Sequence, residues 1–341
     1  MAKSQPKRKP KELELEVANF VCNFDGSTAL VDRLNEVVLP AFFSDESRKY
    51  GDTEYYFEEQ SFRYLKEGDP SSIALCCRFI KNTVLRRHQH IVAGKLVSDE
   101  KTLPSAPSAI VALLLSNHRL LYIREVPNAP SPAQFGSTFA YFMRNEVSRF
   151  RDRILKDRQE NGDVDATKKA IAQELPFPTV VVVSVVSSKS LEDFVARFSL
   201  LTTFKIEIAP TNNEMDNRKF FGQLRDSKTI VHSAKSVLTH HNSKGLDKEG
   251  CIEQAEGAKQ GNARIEMKGK DAKGDTLVGD NQSFSVRAKI GSDKANPNST
   301  PEKAFSRYNR LLSEGVIEIG KTLNAVTTKI KAALSSIQDK N

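Results

Sequence analysis

The triplet Glu266-Met267-Lys268 is the pattern in this sequence that comes closest to a catalytic motif. On a strand, residues two apart point to the same face, so a carboxylate and an amine would lie side by side, as in metal-dependent nucleases of the restriction type. Such a site also needs an upstream carboxylate to hold the cation, and Asp247 is one candidate. In a chain that is 28% charged such triplets arise easily by chance. Glu266 and Lys268 therefore support only an alternative hypothesis, a nuclease, and whether the protein is an enzyme stays open.

Other chemical motifs are missing or incomplete. Neither G-x-G-x-x-G nor the P-loop pattern occurs, which argues against nucleotide hydrolysis. His88 and His90 are two apart near a predicted strand end, but a metal site needs more ligands, and Arg86 and Arg87 just before them indicate a basic strand end. We expect no metal and no cofactor.

The sequence has two groups of cationic side chains that could bind phosphate, and the first lies at the N-terminus. The net charge is +8, and residues 1–11 carry five basic residues and no acid: Lys3, Lys7, Arg8, Lys9 and Lys11. The remainder of the chain is therefore only mildly basic. Such a tail can neutralise nucleic-acid phosphates without folding, and it can equally be a solubilising terminus.

The second cationic group lies on a long helix that Ser131-Pro132 is predicted to begin, since serine caps helices and proline suits the first turn. Arg144, Arg151 and Arg158 are seven residues apart and so lie roughly on one stripe of that helix. The stripe is the candidate phosphate-binding surface of the folded body, together with Lys7, Arg8, Lys9 and Lys11 of the tail. A solvated helix face with compensating acids is the alternative.

The pattern of elements predicts an α/β (α+β) fold in which antiparallel or mixed sheets are covered by helices. Strand-like runs separated by turn residues, Gly68-Asp69-Pro70-Ser71 and Asn117-His118, predict hairpins over 54–84 and 110–126, and a strand-helix-strand order predicts a β-α-β unit over 180–209. We expect the following units: a basic tail (1–12), an N-terminal α+β domain (13–158), a linker (159–178), a second α/β domain (179–295) and a long C-terminal helix (300–338).

The C-terminal helix has apolar residues at alternating three- and four-residue steps over 316–337: Val316, Ile319, Leu323, Val326, Ile330, Ala333 and Ile337. This is the seam of a coiled coil, so a partner surface is implied. The partner is either the chain's own body or a second copy, and docking onto another protein is a further alternative.

No stretch approaches the roughly 20 apolar residues that cross a bilayer, and the basic N-terminus lacks the apolar segment of a secretory signal. Four cysteines form no C-x-x-C pair. We expect a cytoplasmic protein with reduced thiols and no membrane span.

The order of elements from Ser108 to Ile290 resembles that of the RexA-like phage-exclusion proteins, a set of prophage and defence-associated proteins. The resemblance lies in Pro107-Ser108-Ala109 before the hairpin, the helix at Ser131-Pro132, the 180–209 unit ending at Pro210, and the strands at 263–268 and 283–290. It covers a little over half of the chain, and the cationic tail and the C-terminal heptads lie outside it. The resemblance implies a dimer that binds DNA with little sequence preference in anti-phage defence, without a known active site.

These observations together favour a non-enzymatic, sequence-nonspecific nucleic-acid-binding protein, with DNA preferred, from a defence or prophage system. No helix-turn-helix, zinc finger or RNA-binding aromatic motif occurs, so base-specific readout is not expected. A metal-dependent nuclease and an assembly subunit are the alternatives.

Overall fold

The computed structural model describes residues 12–24, 28–209, 235–256, 263–291, 295–319 and 324–338, with positions 222, 223, 226, 227, 230, 231 and 233 in addition. The basic tail, with Lys7, Arg8, Lys9 and Lys11, lies outside the described residues.

The strands of the described part are β1 (Leu13–Asn23), β2 (Arg48–Tyr50), β3 (Thr53–Tyr64), β4 (Ile73–Val92), β5 (Lys95–Ser105), β6 (Ser108–Leu114), β7 (Arg119–Arg124), β8 (Thr179–Ser184), β9 (Phe198–Ile208), β10 (Val237–His241), β11 (Ala263–Asp271), β12 (Thr276–Asp280) and β13 (Arg287–Gly291). Its α-helices are α1 (Leu39–Phe42), α2 (Pro132–Glu160), α3 (Lys168–Glu174), α4 (Ser188–Ala196), α5 (Lys248–Glu256), α6 (Thr300–Ser313) and α7 (Asn324–Gln338). The expected α+β fold class is confirmed.

A large antiparallel sheet forms the centre of the molecule, in the order β13-β1-β7-β6-β4-β3-β2. Strand β8 pairs with the later part of β1, and β5 pairs with the later part of β4. Alternate residues of β1 enter two cores: Phe20 packs with α2 and α7, and Leu15 packs with α6. The sheet is therefore covered by helices on both faces.

Helix α2 begins where the sequence predicts. Ser131 Oγ accepts a hydrogen bond from Gln134 N at 3.2 Å, and Gln134 Oε1 accepts one from Ser131 N at 2.7 Å. This capping box satisfies two backbone donors that the first turn leaves free. Phe135 and Phe139 of the helix are fully buried against Phe57 of β3, so the cap and the aromatic face together set the position of α2.

A smaller sheet of order β10-β9-β11-β12 forms a second lobe. Helices α4 and α5 cover one of its faces through a core that includes Phe194, Cys251 and Met267. Arg264, Glu266 and Lys268 alternate with buried residues on β11 and lie on the open face.

The lobes divide at a different place from the expected linker. The strand-helix-strand order over 180–209 is present, but β8 pairs antiparallel with β1 in the large sheet while β9 belongs to the small one. The two strands therefore do not form a parallel β-α-β unit. The expected linker contains α3, which packs near α2. A β-branched run predicts a strand, but it does not specify which sheet the strand joins.

The C-terminal segment is not one continuous helix. Helix α6 ends at Ser313, and Gly315 follows with φ +68°, a conformation that favours glycine. The amides of Val316 and Ile317 both donate to the Leu311 carbonyl, as in a glycine-terminated helix end. The helix predicted over 300–338 is therefore interrupted: Val316 and Ile319 of the seam lie outside any helix, and α7 begins at Asn324. Leu323 lies outside the described residues.

Among the described residues, no helix is both long enough and apolar enough to cross a membrane.

Candidate nucleic-acid interface

Arg151, the centre of the predicted stripe, makes internal contacts. Its Nε donates to the Leu175 carbonyl at 2.8 Å, and its guanidinium lies 4.1 Å from the centre of the Phe177 ring. Partial burial lowers the pKa of Arg151 below its ordinary value. The side chain therefore holds the segment after α3 against α2.

The neighbouring arginines are also paired. Arg158 donates to both carboxylate oxygens of Glu174, at 2.8 and 2.5 Å. Arg149 and Arg153 flank the buried carboxylate of Glu146, at 2.7 and 2.9 Å. These contacts lie within α2 and between α2 and its neighbours, and they occupy the donors that a phosphate would need.

Arg144 differs from the other members of the stripe because it is exposed and forms no ion pair within the described part of the chain. Phosphate contact by Arg144, Arg151 and Arg158 stays a prediction. The structure nevertheless leaves only Arg144 of the three without an internal contact to break.

The nuclease candidates lie on the open face of β11. Glu266 Oε1 accepts a hydrogen bond from Lys205 Nζ at 2.9 Å, while Lys268 is exposed two residues later. Asp247 has a different role, because its Oδ2 accepts a hydrogen bond from Gly250 N at 2.7 Å at the start of α5. Helix α5 packs on the covered face of the small sheet. The structure does not bring Asp247 into a shared cluster, and the described residues contain no group of three or more potential metal ligands.

A concavity of about 370 Å³ between β1 and β7 is lined by Glu12, Glu14 and Glu16. Glu16 is buried, and its two carboxylate oxygens contact Ser184 Oγ at 2.9 Å and Arg124 Nη1 at 2.8 Å. Arg124 and Arg287 line the concavity with the three glutamates, so it is not a cationic surface, and the contacts of Glu16 join β1, β7 and β8.

A two-stranded ribbon is the most prominent feature outside the cores. It consists of residues 83–92 of β4 and 95–105 of β5, and we call it the arm. Up to residue 82, β4 pairs with β3 and β6, and from residue 83 it pairs with β5 alone. No residue of the arm is buried. Ten residues per strand extend it by about 30 Å beyond the sheet.

A tight turn closes the arm. Ala93 and Gly94 have φ +48° and +77°, the two left-handed positions of a type I′ hairpin turn, whose twist matches that of the strands. A bulge between Arg87 and Gln89 shifts the register near the middle. The extra residue is on β5: His88 lies opposite it, whereas His90 pairs in register with Val97.

The arm carries four lysine and arginine residues and two acids, which gives it a net charge of +2 with histidine neutral. The cations are Arg86, Arg87, Lys95 and Lys101, and the acids are Asp99 and Glu100. Within the part of the chain that the structure describes, Lys95 and Lys101 form no ion pair. The arm therefore has a higher density of positive charge than the rest of the chain after the basic tail.

Ion pairs organise the arm from base to middle. Arg86 Nη2 lies 2.6 Å from Asp52 Oδ2, in the turn between β2 and β3. Arg87 pairs with Asp99, and His90 Nδ1 lies 3.3 Å from the same carboxylate. The hydrogen bond from Arg87 holds the pKa of Asp99 below its usual value, so this carboxylate stays charged.

A concave site of about 630 Å³ lies at the base of the arm. Four basic side chains line it with two acids: Arg86, Arg87, His88, Lys101, Asp52 and Glu100. Tyr50, just before the β2–β3 turn, is 73% exposed. A cationic concavity with an exposed aromatic ring nearby suits a phosphate backbone and an unpaired base.

The sequence predicted the arginine stripe of α2 but did not predict the arm. A strand is recognised by alternating burial, and both faces of the arm are exposed, so residues 85–105 show no such pattern. The available signals were the strand that precedes it, the Ala93-Gly94 step and the basic run at 86–90.

Comparison with protein-family models and with curated proteins finds no match to this chain.

Proposed function

We propose that this protein binds nucleic acid, preferentially DNA, without sequence preference, and that the arm is its principal contact in the folded body. The observation that carries the proposal is a two-stranded ribbon, exposed on both faces and with net positive charge, that extends beyond the sheet. A groove of B-DNA admits a two-stranded ribbon.

The physical mechanism is counterion release. Lysine and arginine side chains that neutralise phosphates release condensed cations, which makes binding strong at low salt and insensitive to sequence. Exposed ion pairs such as Arg86–Asp52 contribute only about 0–1 kcal/mol, so a phosphate can replace Asp52 at little cost. The cations of the basic tail would add to this term.

We further propose that the protein acts in the cytoplasm without catalysis, in an anti-phage defence or prophage system, as the resemblance to the RexA-like proteins implies. A second copy of the chain is the expected oligomeric partner on the same ground. The nuclease alternative finds less support, because Glu266 is paired with Lys205 and Asp247 caps a helix.

The test compares two triple variants that remove the same charge. The arm variant is Arg86→Ala, Lys95→Ala and Lys101→Ala, and the control is Lys168→Ala, Lys189→Ala and Lys244→Ala, which removes exposed lysines from three other places. Fluorescence anisotropy with two unrelated 30-base-pair duplexes, titrated at several salt concentrations, measures affinity and its salt dependence.

We expect the arm variant to bind both duplexes about tenfold or more weakly than the unmodified protein, and the slope of log K against log salt to fall by about 2.7, that is 0.9 for each lost contact. The control should bind almost as the unmodified protein does. Equal losses in both variants would show that only overall charge matters, and unchanged binding by the arm variant would contradict the proposal. The single variant Arg144→Ala, measured in the same way, gives the contribution of Arg144 to duplex affinity.

A further inference from the structure

Two large apolar side chains at the tip of the arm are the most exposed ones that it carries, and Val84, Leu85, Val92, Val97 and Leu103 along its length are 40–54% exposed. Ile91 and Leu96 face each other across the strands in register, and they are 72% and 66% exposed. Each lies two residues from the Ala93-Gly94 turn. Neither belongs to a hydrophobic cluster of the described residues.

Exposure of this pair is physically costly. Covering one such side chain completely is worth about 1.5–3 kcal/mol, and an isolated two-stranded hairpin is at best marginally stable in water. A tip made of serine or lysine would avoid the cost. Apolar residues at the most distant point of a projecting element therefore indicate a ligand that covers them.

The charge around the tip restricts what that ligand is. Lys95 is adjacent to Leu96 and pairs in register with Val92, and Arg86, Arg87 and Lys101 follow towards the base. Asp99 and Glu100 lie between them, so the arm has a net charge of +2. The ligand must offer negative charge along the length of the ribbon and an apolar environment at its end. Duplex DNA offers both, because phosphates line each groove and the stacked bases beneath are apolar.

We propose that Ile91 and Leu96 form a wedge that inserts between neighbouring base pairs of a bound duplex, unstacks one step and bends the DNA. This inference rests on the proposed function and adds to it a deformed duplex as the specific ligand. Proteins that bind the minor groove commonly insert such apolar side chains, with bends of about 20–90°.

The wedge also predicts a preference that needs no hydrogen bond to a base. Unstacking costs least at flexible pyrimidine–purine steps such as TA and CA/TG. The protein should therefore bind a duplex with a central TA step modestly more tightly than one whose centre is a stiff A-tract, although it reads no base edge.

The experiment measures bending and affinity separately. A 30-base-pair duplex carries a donor and an acceptor dye at its two ends, so that bending raises energy transfer, and anisotropy reports binding. The tip variant is Ile91→Ser with Leu96→Ser. The matched control is Val237→Ser with Val278→Ser, two exposed apolar residues on strands of the small sheet. Circular dichroism checks that each variant is folded.

We expect the unmodified protein and the control to raise energy transfer to the same level. The tip variant should bind within about threefold of the unmodified protein, yet leave the duplex straight and lose the preference for the TA step. The arm variant that lacks three cations should weaken binding whether or not bending persists at saturation.

Two results would overturn the wedge while leaving nucleic-acid binding intact: bound but straight DNA with the unmodified protein, or full bending with the tip variant. If the unmodified protein binds no duplex, the proposed function itself fails. Sedimentation and flotation with vesicles that contain phosphatidylserine complete the test. A tip variant that loses self-association or vesicle binding, with unchanged DNA bending, would assign the apolar pair to a second copy or to a lipid surface and would also overturn the wedge.

Discussion

His118 lies in the buried turn between β6 and β7, with φ +55°. Histidine tolerates this left-handed conformation better than most residues do, and the His118 carbonyl accepts a hydrogen bond from Phe20 N at 2.8 Å. Burial, assisted by the charge of Arg119, lowers the pKa of His118 from 6.5 to about 4. The folded protein therefore holds this imidazole neutral.

This shift predicts how stability depends on pH. Below pH 6.5 the unfolded chain is protonated at His118, whereas the folded protein keeps this histidine neutral down to about pH 4. Stability therefore falls as the pH decreases through that window. The loss amounts to about 3 kcal/mol at its full extent. Urea unfolding at pH 7, 5.5 and 4 measures it.

The variant His118→Asn should lose this component, because asparagine also accepts a positive φ and does not titrate. His88→Asn, in the exposed arm, is the control and should unfold as the unmodified protein does at every pH. A stability difference between the unmodified protein and His118→Asn that is the same at pH 7 and pH 4 would contradict the assignment.

At the scale of elements, the contact between α2 and β8 depends on Gly136. A Cβ built at this position overlaps Val182 Cγ2 and lies 3.5 Å from Val180 Cγ1. The helix backbone therefore approaches the sheet more closely than any other residue would allow. This contact joins α2 to β8, the strand of the large sheet that leads into the second lobe.

Gly136→Ala has two opposing effects on stability. Helix propensity alone favours alanine by about 1 kcal/mol, whereas overpacking costs about 1–3 kcal/mol. We expect the overlap to prevail, with a decrease of about 1 kcal/mol in the free energy of unfolding by urea. The double variant Gly136→Ala with Val182→Ala should recover part of the loss, and a stabilised single variant would show that the helix can move away from β8.

The arm and α2 show how elements acquire different roles from similar residues. Both are rich in arginine, but the arginines of α2 lie next to acids and carbonyls of packed neighbours, as Arg158 does with Glu174. Within the described part of the chain, the arm meets a neighbour at its base, where Arg86 pairs with Asp52, and Arg87 pairs with Asp99 inside the arm. Arginines of α2 are thus held by packed neighbours, whereas the two arginines of the arm are held by exposed or half-buried ion pairs and its two lysines form no ion pair among the described residues.

At the scale of the molecule, α7 packs against the chain's own body. Ile330, Ala333 and Leu334 are buried in the same core as Phe20, and Lys329 Nζ lies 2.6 Å from Asp32 Oδ1. Intramolecular packing, one of the two partners expected from the heptad pattern, accounts for these apolar positions. An oligomer, if formed, need not involve them.

Leu334→Ala tests this placement. Removing a buried leucine side chain costs about 2–5 kcal/mol, so we expect a clearly lower free energy of unfolding and an unchanged sedimentation coefficient. Val316→Ala, at an exposed position of the interrupted seam, should change stability by less than about 0.5 kcal/mol. Dissociation of an oligomer by Leu334→Ala, with little effect on stability, would instead place α7 between two copies.

Features set by neighbours within one or two turns could be predicted from the sequence by itself. Ser131 and Pro132 predict the start of α2 because a cap depends on residues three positions apart, and two apolar runs joined at Asn117-His118 predict the hairpin of β6 and β7. The α+β class follows from the same local signals.

Only the tertiary structure decided that β8 joins the large sheet and that residues 83–105 form a projecting arm. It also decided that Arg151 donates to the Leu175 carbonyl and that Arg158 pairs with Glu174. The reason is physical: sheet membership and ion pairing depend on residues distant in sequence, and a ribbon that is exposed on both faces has no burial pattern to reveal it.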